Sequence, residues 1–413
     1  GTSFIDVLEL FQSDPETEGI VGAREIGLMK PGALFVNTAR GKLVLVSPPK
    51  PTCRPVESWV EHGTEASRRR LARALDSVGR EWTSRNVRGT GYNLALGTGD
   101  LGLRMEKAGI AGMITSRSKD AWGTIEIFET YNTRAPAIAL SCEDYGLLFR
   151  LAESGTIPRV RMNLDAALLG EQPVFNTVAT IRGVSKPDEY VVLSAHFDSF
   201  DGASGATDNG TGTIMIMEAM RILKLINPRP SRTIVAGHWI AEEHGLHGSR
   251  IFAEDHPEIL NGMQVLFNQD NGTGRVLGID GAGLPDASAR LGEWLARLPE
   301  SLRLQVTHKG PGRPSRGGSD DASFACHGLP AFGLGSLGWD YGPYTWHTNR
   351  DTYDKIVFDD LKQNAALVAM LAYLASEDTA FIKRDRAAPQ APAGAPAWPE
   401  CQKAPRRTAP RLR

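Results

Sequence analysis

The sequence is poor in cysteine, lacks long apolar runs and carries no large excess of either charge. Its four cysteines form no C-x-x-C pair, which argues against a thiolate zinc site or a redox dithiol. No uninterrupted apolar run reaches the ~18 to 20 residues that a bilayer-spanning helix needs. A formal net charge of −2 excludes the basic excess that attracts nucleic acid or an anionic membrane. These absences predict a soluble globular protein with no nucleic-acid partner and no membrane span.

Cellular location is not encoded by an obvious signal. The sequence as given opens without a charged segment followed by an apolar core, which leaves open whether a signal peptide was absent, cleaved or lost with an upstream piece. The widely spaced cysteines leave a Cys53–Cys142 disulfide open, although no motif supports it.

The chain divides by composition and pattern into four segments. At ~100 to 200 residues per domain, its length predicts two to three domains. We distinguish an anomalous N-terminal segment (1–40), an accessory domain (41–173), a domain rich in alternating patterns (174–378) and a tail (379–413) rich in Pro, Ala and Arg that is predicted to be disordered. In the third segment, strand-like runs such as YVVLSA and TIVAGHWI alternate with helical runs such as TIMIMEAMRILKLI. This alternation predicts an α/β fold with a mixed, mainly parallel sheet flanked by helices.

Metal-ligating side chains follow three of the predicted strands. An imidazole follows YVVLSA, two glutamates follow TIVAGHWI and an aspartate follows MQVLF. Parallel sheets bind ligands beyond the carboxyl ends of their strands, so these side chains are expected to meet. An aspartate in a Gly-rich loop and a histidine in YTWHTNRDTYD complete a nitrogen and oxygen donor set that suits zinc. The predicted metal ligands are His196, Asp208, Glu243, Asp270 and His347.

Two zinc ions account for this combination of ligands. A pair of divalent cations needs one bridging carboxylate, plus further imidazole and carboxylate ligands for each metal. Asp208 is predicted to bridge. His196 and Glu243 would complete one zinc, and Asp270 and His347 the other.

Two neighbouring acids are given roles beside the metal. Glu242 is predicted to be the general base, because adjacent residues diverge and one of the glutamate pair can face the bound water. Asp198 lies two residues beyond His196 and is expected to orient its imidazole by accepting the second ring N–H. By contrast, the histidines in EEHGLHG lack the H-E-x-x-H order of a helical zinc motif.

The quoted segments resemble the two-zinc aminopeptidase family that includes bacterial leucyl aminopeptidases and carboxypeptidase Q. The likeness covers roughly residues 174–376 and includes EYVVLSAHFDSFDGASGATDNGTGT, GHWIAEEHGLHGS, LFNQDNGTG and YTWHTNRDTYDKI. It implies a zinc exopeptidase fold, a peptide substrate and the ligand set named above. The loop GGSDDASF is similar to the family's loop with Ser-Asp before a His, but Asp321 replaces that histidine. The family's active-site tyrosine implies a substrate-binding role for Tyr344 or Tyr341, with packing as the alternative.

Residues 41–173 look like a protease-associated domain, a β-rich module that often accompanies this family. The resemblance rests on GKLVLVSPPKPTCRP, LRMEKAGIAGMITSR and APAIALSCEDYGLLFRLAESG. It implies a role in substrate access and a secreted or periplasmic enzyme.

The first residues carry a different likeness. Residues 5–44 resemble part of the nicotinamide-binding domain of D-2-hydroxyacid dehydrogenases, including VNTARG with Arg40 at the position of their catalytic arginine. Gly97, Gly99 and Gly102 form G-x-G-x-x-G, but this loop follows the VNTARG strand instead of preceding it. The segment is interpreted as a fusion, a gene-model junction or a chance likeness.

The sequence therefore predicts a two-zinc metallo-exopeptidase, with aminopeptidase activity favoured over carboxypeptidase or dipeptidase activity. Two other classes are weighed against it. A NAD-dependent oxidoreductase rests only on the N-terminal likeness, and an inactive binding relative is opposed by the presence of all five ligands and the base. The oligomeric state is left open.

Overall fold

The computed structural model describes residues 35–38, 41–47, 49–84, 101–117, 121–127, 132–162, 164, 167, 169–170, 172–387 and 396–404. By their contacts they fall into two units. The first contains the described residues up to Gly170 together with His347–Arg350, and the second contains the rest. The sequence-based boundaries at 40, 173 and 378 stay predictions.

The first unit contains a small sheet with the strand order β1-β2-β3-β4. β1 (Phe35–Thr38) runs antiparallel to β2 (Gly41–Leu45), whereas β3 (Gly112–Thr115) and β4 (Ala137–Ala139) continue the sheet in parallel. Its helices, listed in chain order, are α1 (Val56–His62), α2 (Glu65–Ser84), α3 (Leu101–Lys107) and α4 (Cys142–Glu153). Helices and strands are thus both present in the described residues of this unit, where the sequence analysis expected a β-rich domain.

Packing in the first unit centres on helix α4. Ser141 caps its N-terminus by accepting the N–H of Asp144. The ring of Tyr145 is buried against Leu43, Leu45 and Ile114 of the sheet, and its hydroxyl donates to the carbonyl of Ser47 at 2.5 Å. A Cys53–Cys142 disulfide, which the sequence left open, ties the start of the helix to the segment before α1.

The second unit is built on a seven-stranded sheet with the order β10-β9-β11-β8-β6-β7-β5. Its central strands β7, β6, β8 and β11 run parallel to one another. β5 is antiparallel to β7, β9 is antiparallel to β11, and β10 is parallel to β9. The mixed, mainly parallel sheet predicted from the alternating pattern is therefore confirmed. The strands are β5 (Thr177–Ile181), β6 (Lys186–His196), β7 (Arg232–Trp239), β8 (Met263–Asn268), β9 (Val276–Asp280), β10 (Thr307–Lys309) and β11 (Ala331–Ser336).

Helices cover both faces of this sheet. Along β6, Val191 and Leu193 belong to one apolar cluster and Val192 to another, because alternate side chains of a strand point to opposite faces. The first cluster includes residues of α5, α8 and α11, and the second includes residues of α6, α7 and α10. Each fully buried aliphatic side chain contributes roughly 1.5 to 3 kcal/mol to the core. The helices are α5 (Thr211–Ile226), α6 (His247–Asp255), α7 (Pro257–Asn261), α8 (Pro285–Ala296), α9 (Glu300–Arg303), α10 (Ala322–Ala325) and α11 (Phe358–Glu377).

Parts of the tail pack on the second unit. Ile382 is buried in the larger core cluster. Trp398 donates its indole N–H to the carbonyl of Ala325 at 2.9 Å, and Cys401 forms a disulfide with Cys326. Residues 379–387 and 396–404 thus differ from the disorder predicted from composition. In the parts of the chain that are described, no helix is long and apolar enough to cross a bilayer.

Candidate metal centre

The ends of three adjacent parallel strands place the candidate site. β6 ends at His196, β7 ends three residues before Glu242, and β8 ends two residues before Asp270. β6 lies between β7 and β8 in the sheet. Their carboxyl ends therefore meet at one edge, as the order of polar residues in the sequence predicts.

The imidazole of His196 lies between two carboxylates. Its Nε2 atom is 3.1 Å from Oδ1 of Asp270 and 3.3 Å from Oδ1 of Asp208. Potential ligand atoms of His196, Asp208 and Glu243 all lie within 4.8 Å of one another, as do those of His196, Glu242 and Asp270. Five of the six residues predicted to form the site are thus brought together in the second unit.

Asp208 is presented by a short irregular turn, Ala206–Gly210, that precedes helix α5. Gly205 enters this turn with a φ of 60°, and a Cβ atom there would lie 2.4 Å from Cβ of Ser199, so only glycine fits. The carboxylate of Asp351 accepts the backbone N–H groups of Thr207 and Asp208. The position of the predicted bridging ligand is therefore fixed by a residue far away in sequence.

Asp198 connects the histidine to the glutamate pair. Its backbone carbonyl, and not its carboxylate, is the nearest partner of His196 Nδ1, at 2.9 Å. The carboxylate oxygens accept the backbone N–H groups of Glu242 and Glu243 at 3.1 and 3.2 Å. Asp198 thus holds both the imidazole and the loop that carries the predicted base.

Backbone strain marks the same loop. Ala241 and Leu246, on either side of the glutamate pair, have positive φ angles of 56° and 60°. Such conformations cost about 1 to 3 kcal/mol for a residue with a side chain and persist where surrounding structure enforces them. Their presence on both sides of Glu242 and Glu243 favours a functional loop.

The electrostatics of the cluster fit a divalent cation. Burial raises the pKa of Glu242, and the charges of Asp270 and Asp320 raise it further against the opposing effect of His196. The pKa of Asp270 is also raised by burial and by the charge of Asp208. Buried carboxylates that repel one another are stabilised when a cation binds among them. One imidazole and several carboxylate oxygens form a donor set that zinc accepts.

Of the two candidate tyrosines, Tyr341 contacts the cluster. Its ring packs beside Gly272, where an added Cβ would lie 2.8 Å from Cγ of the tyrosine. Burial raises the pKa of the Tyr341 hydroxyl, and the charge of Asp208 and a hydrogen bond with it act in the same direction. The hydroxyl therefore stays protonated at neutral pH and can donate. Tyr344 lies in the same turn, Tyr341–Thr345, and its substrate role stays a prediction.

His347 belongs to the first unit by its contacts. Its carbonyl accepts the N–H of Ile127 at 2.8 Å, and the next residue, Thr348, forms an isolated bridge with Glu126. Its φ of 59° is unusual for a residue with a side chain. Its assignment as the fifth ligand stays a prediction.

Two acids that the sequence analysis did not assign to the site are buried near it. Asp320 is fully buried, and burial raises its pKa to about 8, with His196 opposing and Asp270 and Asp198 adding to the increase. Burial also raises the pKa of Asp321 to about 7. The available signal was the adjacent acid pair in GGSDDASF, the loop that the family resemblance had already singled out.

The comparisons with known proteins address this unit. Residues 176–372 match the model of peptidase family M28. The chain is 28% identical over 261 residues to carboxypeptidase Q of Xenopus laevis, covering 62% of this chain and 53% of that protein, and 27% identical over 259 residues to carboxypeptidase Q of Homo sapiens, again covering 62% and 53%. The chain spans about half the length of these curated relatives.

A solved structure gives the same assignment. The peptidase M28 precursor of Shewanella amazonensis aligns with a TM-score of 0.57 and 27% identity, covering 70% of this chain and 65% of that chain. The resemblance to this peptidase family and the fold expected from it are therefore confirmed.

The N-terminal likeness is also found. Residues 6–46 match the NAD binding domain of D-isomer specific 2-hydroxyacid dehydrogenases, close to the 5–44 expected from the sequence. Arg40, Gly97 and Gly99 lie outside the described residues, whereas the backbone of Gly102 is part of helix α3. The match is confined to a short fragment of the chain.

Proposed function

We propose that this chain, whose residues 176–372 match peptidase family M28, is a two-zinc exopeptidase. The observation that carries the proposal is the position of His196, with its Nε2 atom 3.1 and 3.3 Å from two different carboxylates and with the buried carboxyl of Glu242 beside it. Such a cluster at the carboxyl edge of a parallel sheet matches what hydrolytic metal sites require.

The 3.1 Å contact between His196 and Asp270 supports a different division of ligands from the one the sequence suggested, while the ligand atoms of His196, Asp208 and Glu243 also lie within 4.8 Å of one another. Asp208 remains the bridging residue. His196 and Asp270 are assigned to one zinc because their side chains are adjacent, which leaves Glu243 for the other, while His347 stays a ligand predicted from the sequence. When bound, the two zinc ions would supply a water of lowered pKa and a positive charge for the developing oxyanion.

The protein's own groups would manage the proton and the substrate. Glu242 is proposed to take a proton from the attacking water on its carboxylate oxygen and to return it to the nitrogen of the leaving amine. Its burial and the surrounding acids raise its pKa, which suits a group that must first accept and then donate a proton. The Tyr341 hydroxyl would donate a hydrogen bond to the oxyanion.

The direction of cleavage has two candidates. The sequence analysis favours aminopeptidase activity. Carboxypeptidase or dipeptidase activity is the second candidate, and the relatives named carboxypeptidase Q favour it. The substrate is a peptide in either case.

Two accessory features extend the proposal. The likeness of residues 41–173 to a protease-associated domain rests on sequence alone and implies a role in substrate access. The disulfides Cys53–Cys142 and Cys326–Cys401 are consistent with a secreted or periplasmic location, because such bonds persist in oxidising compartments.

The test compares hydrolysis of leucine p-nitroanilide, an N-acylated dipeptide and a free dipeptide before and after chelation. We expect at least one to be cleaved, activity to stop on chelation and E242Q to lower kcat about 10² to 10⁴-fold. The matched control E293Q, at an exposed glutamate of α8 paired with Arg290, should be unaffected. Activity that survives both chelation and E242Q would contradict the proposed mechanism. Nicotinamide-dependent turnover without peptide hydrolysis would contradict the assignment of the chain as a peptidase.

A further inference from the structure

A cavity of about 250 Å³ lies in the second unit. Leu246, which lines it, donates its backbone N–H to the carbonyl of Glu242 at 2.8 Å. The walls of the cavity come from helix α6, the loop Ser315–Gly317, helix α10 and tail residues Pro399–Lys403. Helix α6 begins four residues after Glu243, so this wall is continuous in sequence with the predicted base and ligand.

The tail wall of the cavity is held in place. The Cys326–Cys401 disulfide joins it to the residue that follows α10. The guanidinium of Arg316 donates to the carbonyls of Pro396 and Ala397 at 2.7 and 3.2 Å, and Glu254 accepts the N–H of Ala404 at 3.0 Å. Two of the charged residues around the cavity are therefore used to fasten the tail.

Arg250 also lines the cavity, but unlike Arg316 and Glu254 it does not bond to the described residues of the tail. Its side chain is partly buried, yet in the described part of the chain its guanidinium makes no hydrogen bond and no ion pair within 4.0 Å. A guanidinium carries five N–H donors, and no Arg250 nitrogen is among the buried side-chain atoms that lack a partner in the described residues. Its donors are therefore available to an acceptor that enters the cavity.

The charges that act on Arg250 locate it relative to the chemistry. Burial lowers the pKa of Arg250, whereas the carboxylates of Asp320 and Glu242 raise it. The guanidinium therefore lies within electrostatic range of the proposed base. Arg250 lies one helical turn after Leu246, since its backbone N–H donates to the carbonyl of Leu246 at 3.1 Å. A group bound at Arg250 would therefore lie near the loop that carries Glu242.

We propose that Arg250 binds a carboxylate of the peptide substrate in this cavity. The inference rests on the proposed function and adds a substrate class to it, namely peptides with a carboxylate near the cleaved bond. Arginine suits this role because its planar fork donates two parallel hydrogen bonds to a carboxylate. The carboxylate has two sources, an acidic side chain or the free C-terminus of a short peptide.

Matched substrate pairs separate these sources. For zinc-loaded protein, kcat/KM is measured for Ala-Glu-amide against Ala-Gln-amide and for Ala-Ala against Ala-Ala-amide. We expect R250Q to lower kcat/KM about tenfold to a hundredfold for the carboxylate member of one pair and to leave its amide partner unchanged. R290Q, at a half-buried arginine of α8 that pairs with Glu293, is the control and should alter none of them. An equal loss of kcat/KM for every substrate overturns the inference, because Arg250 would then act on the charge of Glu242 and not on a substrate carboxylate. An unchanged kcat/KM for every substrate overturns it too, because Arg250 would then have no role in the reaction.

A binding measurement makes failure of the inference distinguishable from failure of the proposed function. Glutarate and glutaramide are titrated calorimetrically into wild-type, R250Q and R250K proteins whose melting temperatures have been checked. We expect R250Q to weaken glutarate binding at least tenfold and R250K to retain part of it, with no change for glutaramide. Glutarate affinity that is the same in wild type and R250Q overturns the carboxylate site. Arg250-dependent glutarate binding without peptide hydrolysis supports the site and contradicts the peptidase proposal.

Discussion

The carboxylate of Asp351 accepts the backbone N–H of Asp208 at 2.9 Å on one oxygen and the N–H of Thr207 at 2.7 Å on the other. The hydroxyl of Thr207 donates to that second oxygen at 2.8 Å. A residue 143 positions away in sequence therefore sets the orientation of the predicted bridging ligand. Such supporting contacts are expected to matter for metal affinity almost as much as the ligands themselves.

Replacing Asp351 by asparagine tests this support. The amide offers one acceptor oxygen and directs N–H donors toward backbone N–H groups, so the turn at Asp208 should loosen. We expect D351N to weaken zinc binding about 10 to 100-fold and to lower kcat/KM, measured by competition with a zinc chelator and by peptide hydrolysis. D354N, three residues on and exposed, is the control. Equal zinc affinity in D351N and wild type would show that Asp351 does not position the site.

Tyr341 and Tyr344 make a second matched pair. Removing the Tyr341 hydroxyl should take away an oxyanion donor and lower kcat by roughly 10 to 10³-fold with little change in zinc content. Y344F should have a much smaller effect, since the ring that packs at Gly272 beside the site is that of Tyr341. Steady-state kinetics on one substrate decides between them, and a larger loss in Y344F would return the role to the tyrosine first predicted.

Asp321 gives the fold a pH dependence. Burial raises its folded-state pKa to about 7, whereas an aspartate in an unfolded chain titrates near ~3.9. The unfolded state loses its proton first, so the contribution of Asp321 to stability is present below pH ~4 and is lost as the pH rises to about 7. We expect D321N to raise the free energy of unfolding by roughly 2 to 4 kcal/mol at pH 8 and by much less at pH 4.

Urea unfolding at both pH values measures this effect. D385N, at an exposed aspartate of the tail, should change the free energy of unfolding by the same amount at both pH values. If D321N and wild type have the same free energy of unfolding at pH 8, the buried carboxyl of Asp321 is ionised in the folded protein without destabilising it.

Arg232 joins the start of strand β7 to the end of helix α11 and to the residues that follow it. Its side chain is fully buried, and the guanidinium donates to Glu189 and to the carbonyls of Ala375, Asp378 and Ala380. R232M leaves these acceptors without donors and should lower the free energy of unfolding by about 3 to 5 kcal/mol. R221M, at an exposed arginine of α5, should cost under ~1 kcal/mol. Thermal unfolding compares the two, and equal melting temperatures would contradict the importance of this cluster.

The sequence predicted the elements that depend on local pattern. The parallel core strands could be read from short apolar runs, and His196, Glu242, Glu243 and Asp270 from their places just after three of them. These features depend on short stretches of sequence. The rule that ligands bind at the carboxyl ends of parallel strands then predicts that the residues lie close together in the fold. The family resemblance then added the identity of the fold.

Other features depend on contacts that composition does not encode. Asp351 acts on Asp208 through tertiary hydrogen bonds, and Asp320 differs from an exposed loop acid only because the fold buries it. The tail looked disordered because it is rich in proline and alanine, yet a disulfide at Cys401 and the indole of Trp398 fasten part of it. Asp198 was expected to orient His196 by its side chain, whereas its backbone carbonyl is the nearer partner.

Zinc bound in the cluster around His196 is proposed to give the chain its peptidase activity. The most direct measurement is the rate of peptide hydrolysis as metal-stripped protein is titrated with zinc. We expect negligible activity without zinc and a rise that saturates near two equivalents per chain, with D208N failing to reach it. Full activity in the metal-free protein, or zinc binding that leaves the rate of hydrolysis at zero, would contradict the proposed zinc peptidase.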